Sequence, residues 1–156
     1  MKEIFGNLWD FDGILCITTN GTLRKDGACV MGRGVAYQAT QRFPGIAQYL
    51  GSRVKHEGNH VHLLYSGKLI SFPVKHNWWE KADLELIAQS VWELTALIGA
   101  LEHPEQVVTV YLPRPGCGNG GLSWTEVKPL VEVLPDNIFL VGWPNEKGDG
   151  YEKDST

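Results

Sequence analysis

An α/β fold, a three-layer α/β/α sandwich with a mixed central sheet, is predicted by three features of this 156-residue chain. Apolar runs of strand length alternate with segments of helical periodicity from Asp12 to Trp143, and such alternation implies a sheet covered by helices. The stretch "HVHLLYSGKLISFPV" holds two short strands about Ser66-Gly67, a hairpin that makes the sheet mixed rather than wholly parallel. Two glycine-rich loops, "MGRGVA" (31–36) and "GCGNGGL" (116–122), each follow a strand and lead into a helix.

Taken in order, "DGILCITT" (12–19) is an apolar run bounded by turn formers and reads as a buried strand. Before it, "EIFGNLW" is interrupted by Gly6-Asn7 and gives no clear strand. Residues 20–34 are polar and glycine-rich, long for a loop in a small domain and so expected to be functional or mobile. Residues 35–58 read as helical, broken near Pro44 and ended at Gly58. The hairpin fills 60–74. In residues 82–101, Leu84, Ile87, Ala88, Val91, Leu94, Ile98 and Leu101 recur at steps of three and four and form one apolar stripe. "QVVTVYL" (106–112) is a strand, 123–134 a helix and 137–143 a last strand; Ser123, with Glu126 three residues on, supplies a capping box. There are no repeats. With 43% hydrophobic residues, residues 1–144 suit one globular domain, and polar residues 145–156 are expected to form a flexible tail.

Bulk properties narrow the function. A net charge of −4 argues against a general polyanion binder, so any nucleic-acid contact must be local. Cys16, Cys29 and Cys117 are odd in number and widely spaced, unlike a disulfide framework or a zinc ribbon, and fit a reducing interior. The N-terminus lacks the apolar stretch of a signal peptide and no 18-residue apolar run occurs, so the expectation is a cytoplasmic protein with no membrane partner. Nothing in the chain speaks to oligomeric state.

The glycine loops carry the chemistry. Ligands of open α/β sheets sit beyond the carboxyl ends of strands, where helix N-termini offer N–H groups to anions. Glycine lets the backbone approach a phosphate and form a concave nest. Two such loops point to a phosphate-bearing ligand, and a pyrophosphate would give each loop one phosphate. A Rossmann fingerprint fails because Tyr37 stands at the third glycine position, and no GK[ST] follows either loop. "WDFDGIL" (9–15) looks like the DxDG motif of magnesium phosphatases, but that site needs an apolar strand ending at Asp10, and the better strand comes after it. Cys117 between glycines has no histidine nearby in sequence and reads as a small buried residue. His56, His60, His62 and His76 lack a carboxylate or cysteine at ligand spacing, so no metal site is expected. Trp78, Trp79 and Trp143 could stack on a nucleobase or simply cover the core. Lys75, closing "ISFPVK", is either a surface charge or a nucleophile at a site mouth.

Three segments, "CVMGRGVAYQATQRFPG", "ISFPVKHNWW" and "LPRPGCGNGGLSWTEVKPLV", in this order and spacing, resemble the macrodomain family from about Ile4 to Trp143. The likeness is to the branch that holds the terminal ADP-ribose protein glycohydrolase and antitoxin macrodomains that strip ADP-ribose from DNA. It implies an α/β/α sandwich binding ADP-ribose, as ligand or product and with no cofactor or metal, and an ADP-ribosyl glycohydrolase acting on modified DNA or protein. Met31, Gly32, Arg33, Gly34 and Val35 would form the first phosphate loop, and Pro113, Gly116, Cys117, Gly118, Asn119, Gly120, Gly121 and Leu122 the second. Asn20 would face the distal ribose, Asn7 and Leu8 the adenine, with Trp143 also on the ligand, and Lys75 would attack the anomeric carbon. Two departures stand out. Asn7 replaces an aspartate common in the family, and Gly120 replaces an acidic residue of the protein-directed members, as the DNA-directed ones also do. The insert "NGTLRKDGA" is longer than in either branch. A non-catalytic ADP-ribose module and an ADP-ribose 1″-phosphate phosphatase are the alternatives. Arg24, Lys25, Arg33, Lys75, His76 and Lys81 are the candidates for a basic rim.

Overall fold

The computed structural model describes residues 1–144. Its strands are β1 (Lys2–Phe5), β2 (Ile14–Asn20), β3 (His62–Leu64), β4 (Leu69–Lys75), β5 (Val110–Pro113) and β6 (Ile138–Gly142), and they form one sheet in the order β1-β6-β5-β2-β4-β3. Every pairing is parallel except β3 with β4, the hairpin read from sequence. The helices are α1 (Gly34–Arg42), α2 (Ile46–Glu57), α3 (Leu84–Leu101) and α4 (Trp124–Val131).

Alternate strand residues send side chains to opposite faces, so the sheet builds two cores. On one face Cys16, Ile70, Phe72, Val110, Leu112 and Leu140 pack with Ile87, Val91, Leu94 and Ile98 of α3 and Val127 and Val131 of α4. On the other, Leu15, Ile17, Leu69 and Val141 pack with Val35, Ala36 and Ala39 of α1 and Ile46 and Leu50 of α2. The result is the expected three-layer α/β/α sandwich. By length and composition α3 is apolar enough to cross a membrane, but its inner stripe lies on β4 as a core helix does. Ala88, counted in that stripe, is exposed; Leu86 and Ser90 are buried instead.

Three departures from the sequence reading exceed two residues. Residues 2–5 form an edge strand held parallel against β6, with Glu3 opposite Leu140; four half-exposed residues followed by Gly6 carry too little periodicity to announce it. The strand expected at 106–112 starts only at Val110, because His103 and Gln106 form a turn with an isolated bridge and Val107 is 81% exposed. The last helix stops at Val131 rather than at 134. The tail expected at 145–156 lies outside the described residues.

The capping box at α4 is present: Ser123 Oγ accepts from the Glu126 N–H, and the Glu126 carboxylate accepts from the Ser123 N–H at 3.0 Å. Hydrogen bonds donated by the Ser123 N–H and hydroxyl hold the Glu126 carboxyl below the usual carboxylate range. Ser123→Ala is expected to cost about 1 kcal/mol, read as a lowered midpoint in urea denaturation with an unchanged slope.

Parallel order places the carboxyl ends of β2, β4, β5 and β6 at one end of the sheet. Asn20, Lys75, Pro113 and Gly142 are the last residues of these strands. Across β2 and β4 the register slips between Thr19 and Asn20, which brings Asn20 directly opposite Lys75.

Candidate active site

At that end lies a cleft of about 760 Å³, within the usual range for a small-molecule site. It is lined by Asn20 from β2, the 30–37 loop and start of α1, Lys75 and Trp78 after β4, the 113–120 segment after β5, and Trp143 after β6. Of the residues singled out from sequence, Asn20, Met31, Gly32, Arg33, Gly34, Val35, Lys75, Pro113, Gly116, Cys117, Gly118, Asn119, Gly120 and Trp143 all line it. Four do not. Asn7 accepts from the Trp9 N–H and caps the short turn after β1, and Leu8 is 1% exposed within the core. Leu122 is also buried in the core, and Gly121 lies beneath the side chain of Lys81.

The two glycine loops meet. A Cβ built on Gly34 would stand 3.0 Å from the amide nitrogen of Asn119, so the first turn of α1 abuts the second loop. Arg33 at the N-cap of α1 makes no side-chain capping bond, which leaves the helix N-terminus and its partial positive charge open to an anion. In the second loop, Gly116, Gly118 and Gly121 have φ between +76° and +79°, values that L side chains rarely adopt. Those glycines therefore shape a fixed backbone, not a loose link.

Lys75 sits where the loops join. Its Nζ donates to Trp78 O at 3.3 Å and to Asn119 O at 3.2 Å, tying the segment after β4 to the second loop. Partial burial, with Arg33 nearby, pushes its ammonium below the usual lysine value. Asn20 is held by both ends: its Nδ2 donates to Val30 O at 3.0 Å and its Oδ1 accepts from the Thr22 N–H at 2.9 Å. It braces the mouth of the insert as well as facing the cleft.

The insert itself is a short turn. Leu23 and Cys29 bridge antiparallel, Asp26 Oδ1 accepts from the Ala28 N–H, and the Cys29 N–H donates to Ala47 O of α2. Arg24 and Lys25 are exposed at its tip and do not line the cleft. Of the expected basic rim, Arg33 and Lys75 line the cleft and Lys81 covers Gly121, while His76 is engaged with Asp83 at 2.8 Å.

Sequence reading passed over Arg114. It lines the cleft yet is only 8% exposed. Its guanidinium lies over the rings of Phe5 and Trp124, 3.8 Å from Glu3, a carboxylate shared with Lys128. Its Nη1 has no hydrogen-bond partner among the described residues, an unusual state for a buried donor. A run reading "LPRPG" gives no hint of this, since arginine is ordinarily a surface residue.

The other candidates separate from the site. Asp10 belongs to a short 3-10 turn and Asp12 is exposed ahead of β2, so no strand ends at the first aspartate as a phosphatase motif requires. Asp12 lies beyond the amino end of β2, a strand that by itself spans roughly 20 Å from Ile14 to Asn20. His60 pairs with Glu93, His62 accepts from Arg53 and donates to Gly58 O, and His56 lies on Ser52 O. Among the described residues no group of three or more His, Cys, Asp or Glu could hold a metal ion. Cys117, expected to be buried, is half-exposed and lines the cleft; Cys16 and Cys29 are buried, and burial raises both thiols.

No family model matches the chain. Over 141 residues, 85% of its length, it is 31% identical to a DNA ADP-ribosyl glycohydrolase of Thermus aquaticus. The match spans 37% of that relative, so the chain corresponds to little more than a third of it. Among solved structures, the macrodomain of Mycobacterium tuberculosis DarG superposes with a TM-score of 0.72 at 27% identity, covering 89% of this chain and 94% of that one. Thermosipho africanus DarTG, solved with ADP-ribose, superposes at 0.74 over 95% of this chain and 43% of that one; at 19% identity it supports the fold alone. The sheet order, the paired glycine loops and these likenesses lead to one assignment: the chain has the macrodomain fold.

Proposed function

We propose that this macrodomain binds ADP-ribose and releases it from a modified macromolecule, DNA above all, with Lys75 as the nucleophile. The observation that carries this is the setting of Lys75 Nζ, at the junction of the two glycine loops and bonded to two carbonyls. A neutral amine has two N–H bonds and one lone pair. When both N–H groups go to Trp78 O and Asn119 O, the lone pair is held away from those carbonyls. Burial and Arg33 both favour that neutral form. The names of the relatives, DNA ADP-ribosyl glycohydrolase and DarG, support DNA as the target class, as does Gly120 in place of an acid.

In this reading the helix N-terminus at Gly34 and the 116–120 backbone hold the pyrophosphate, and Asn20, opposite Lys75, faces the distal ribose. Lys75 Nζ bonds to the anomeric carbon as the bond from that carbon to the target breaks, and the electron pair leaves with the target, which takes up a proton. Water then hydrolyses the lysine adduct, giving ADP-ribose and the free amine. Fixing the reactants in this geometry removes much of the entropic barrier.

Calorimetry with ADP-ribose, followed by release assays on ADP-ribosylated single-stranded DNA and ADP-ribosylated protein side by side, tests the reading. Binding with turnover on DNA is the expected result. Binding without turnover on either substrate would leave a recognition module, and absence of ADP-ribose binding would remove both readings.

A further inference from the structure

The segment after β4 carries aromatic surface that extends beyond the cleft. Trp78 lines the cleft and is 49% exposed, and Trp79 beside it lies outside the lining and is 62% exposed. Their rings meet edge to face, with centroids 5.9 Å apart and planes at 89°. Neither indole has another aromatic partner recorded among the described residues. Large aromatic surface left open at the mouth of a site points to something that covers it in use.

The segment is held firmly. The Trp78 N–H donates to Thr22 Oγ1 at 3.0 Å, the Asn77 N–H to Glu80 Oε1 at 2.8 Å and the Glu80 N–H to Asn77 O at 3.1 Å. Farther on, the Ala82 N–H reaches Gly120 O and the Asp83 N–H reaches Val74 O. Its carboxylates are engaged too, Glu80 with Asn77 and Asp83 with His76. Two cations lie at this end of the cleft, Arg33 close enough to Lys75 to act on its ammonium and Lys81 over Gly121. Flat aromatic surface with flanking cations is what binds single-stranded nucleic acid without reading its sequence.

We propose that Trp79 is a stacking platform for the nucleobase next to the ADP-ribosylated one on a single-stranded target. This rests on the reading of the cleft as an ADP-ribosyl-DNA site. Lys75 Nζ touches Trp78 O, which places Trp78 beside the attacking amine; in this proposal the strand that carries the released group passes Trp78 and continues over Trp79. With planes at 89° the two indoles cannot stack on the same base, so Trp79 serves a second one. A platform already fixed in place costs little to order on binding.

The test compares Trp79→Ala, Trp79→Phe and the unaltered protein on an ADP-ribosylated single-stranded oligonucleotide, and on the same strand with abasic residues flanking the modified base. Trp79→Ala is expected to raise KM on the intact strand on the order of ten-fold with kcat unchanged. Trp79→Phe restores most of that loss, and the abasic strand shows no difference among the three proteins. Affinity for free ADP-ribose, read by calorimetry, stays within about two-fold throughout. An unchanged KM on the intact strand, an equal loss on the abasic strand, or a matching loss of ADP-ribose affinity each overturns the platform. If the unaltered protein acts on modified protein and not on DNA, the DNA reading falls with it; activity on DNA with no effect of Trp79→Ala removes the platform alone.

Discussion

Lys75→Ala is expected to slow release of ADP-ribose on the order of 10³-fold while leaving a folded protein that still binds ADP-ribose. In the proposed reading, phosphate binding falls to backbone N–H groups and the start of α1, none of which the substitution removes. What is lost is the amine and the tie between Trp78 O and Asn119 O. Lys75→Arg separates these two roles. A guanidinium can donate to both carbonyls but stays protonated and offers no lone pair, so it repairs the tie without restoring turnover. Retained turnover in Lys75→Ala, in single-turnover assays with saturating enzyme, would show that another group makes the attack.

The pH profile follows from the same geometry. With Lys75 as the proposed nucleophile, only its neutral amine attacks, so kcat/KM is expected to rise with pH until Lys75 is deprotonated. Because burial and then Arg33 lower its pKa from the ordinary 10.5, the midpoint of that rise falls below the ordinary lysine value. Arg33→Met removes the nearby positive charge, favours the ammonium and moves the midpoint upward. Arg33 also lines the cleft, so the position of the midpoint, and not the height of the curve, is the quantity to compare.

Gly120→Asp is the second large effect, and its direction runs against a motif comparison. The substitution would place an acid where protein-directed relatives carry one, yet the expected result is loss of stability and no new general acid. Gly120 is buried, and a Cβ there would stand 2.9 Å from the Cβ of Ala82, whose N–H donates to Gly120 O. The start of α3 and the second loop would have to part. Overpacking of this kind costs about 1–3 kcal/mol, several degrees in Tm for a domain of this size, and the displaced loop would weaken ADP-ribose binding. Pairing Gly120→Asp with Ala82→Gly removes that contact and is expected to recover most of the lost stability. Thermal denaturation of both variants decides the matter. If Gly120→Asp melts with the unaltered protein and gains activity on modified protein, contact with Ala82 is not what keeps this position bare.

Much of the candidate site is legible in the sequence. The hairpin came from Ser66-Gly67 between two apolar runs, the α4 cap from Ser123 and Glu126, and the two loops that line the cleft from glycines at strand ends. Each is a local relation, a turn residue or a period within one segment, and the backbone obeys such relations whatever surrounds them. Glycine at 116, 118 and 121 is dictated by backbone angles within the loop itself. Lys75 could be placed at a strand end for the same reason.

Other features depended on which segments become neighbours. Asn20 stands opposite Lys75 only because β2 pairs with β4 and slips register at Thr19. Gly34 touches Asn119, and Gly120 touches Ala82, across gaps that no periodicity spans. Residues 2–5 become a strand because β6 offers them an edge, Asn7 is taken up by its own turn, and Arg114 is buried by Phe5 and Trp124 arriving from two other elements. The sequence by itself determined the elements and the loop chemistry, because these follow from local backbone preference and hydrophobic period. Strand order and packing, which only the whole chain can satisfy at once, decided which of those residues share a cleft.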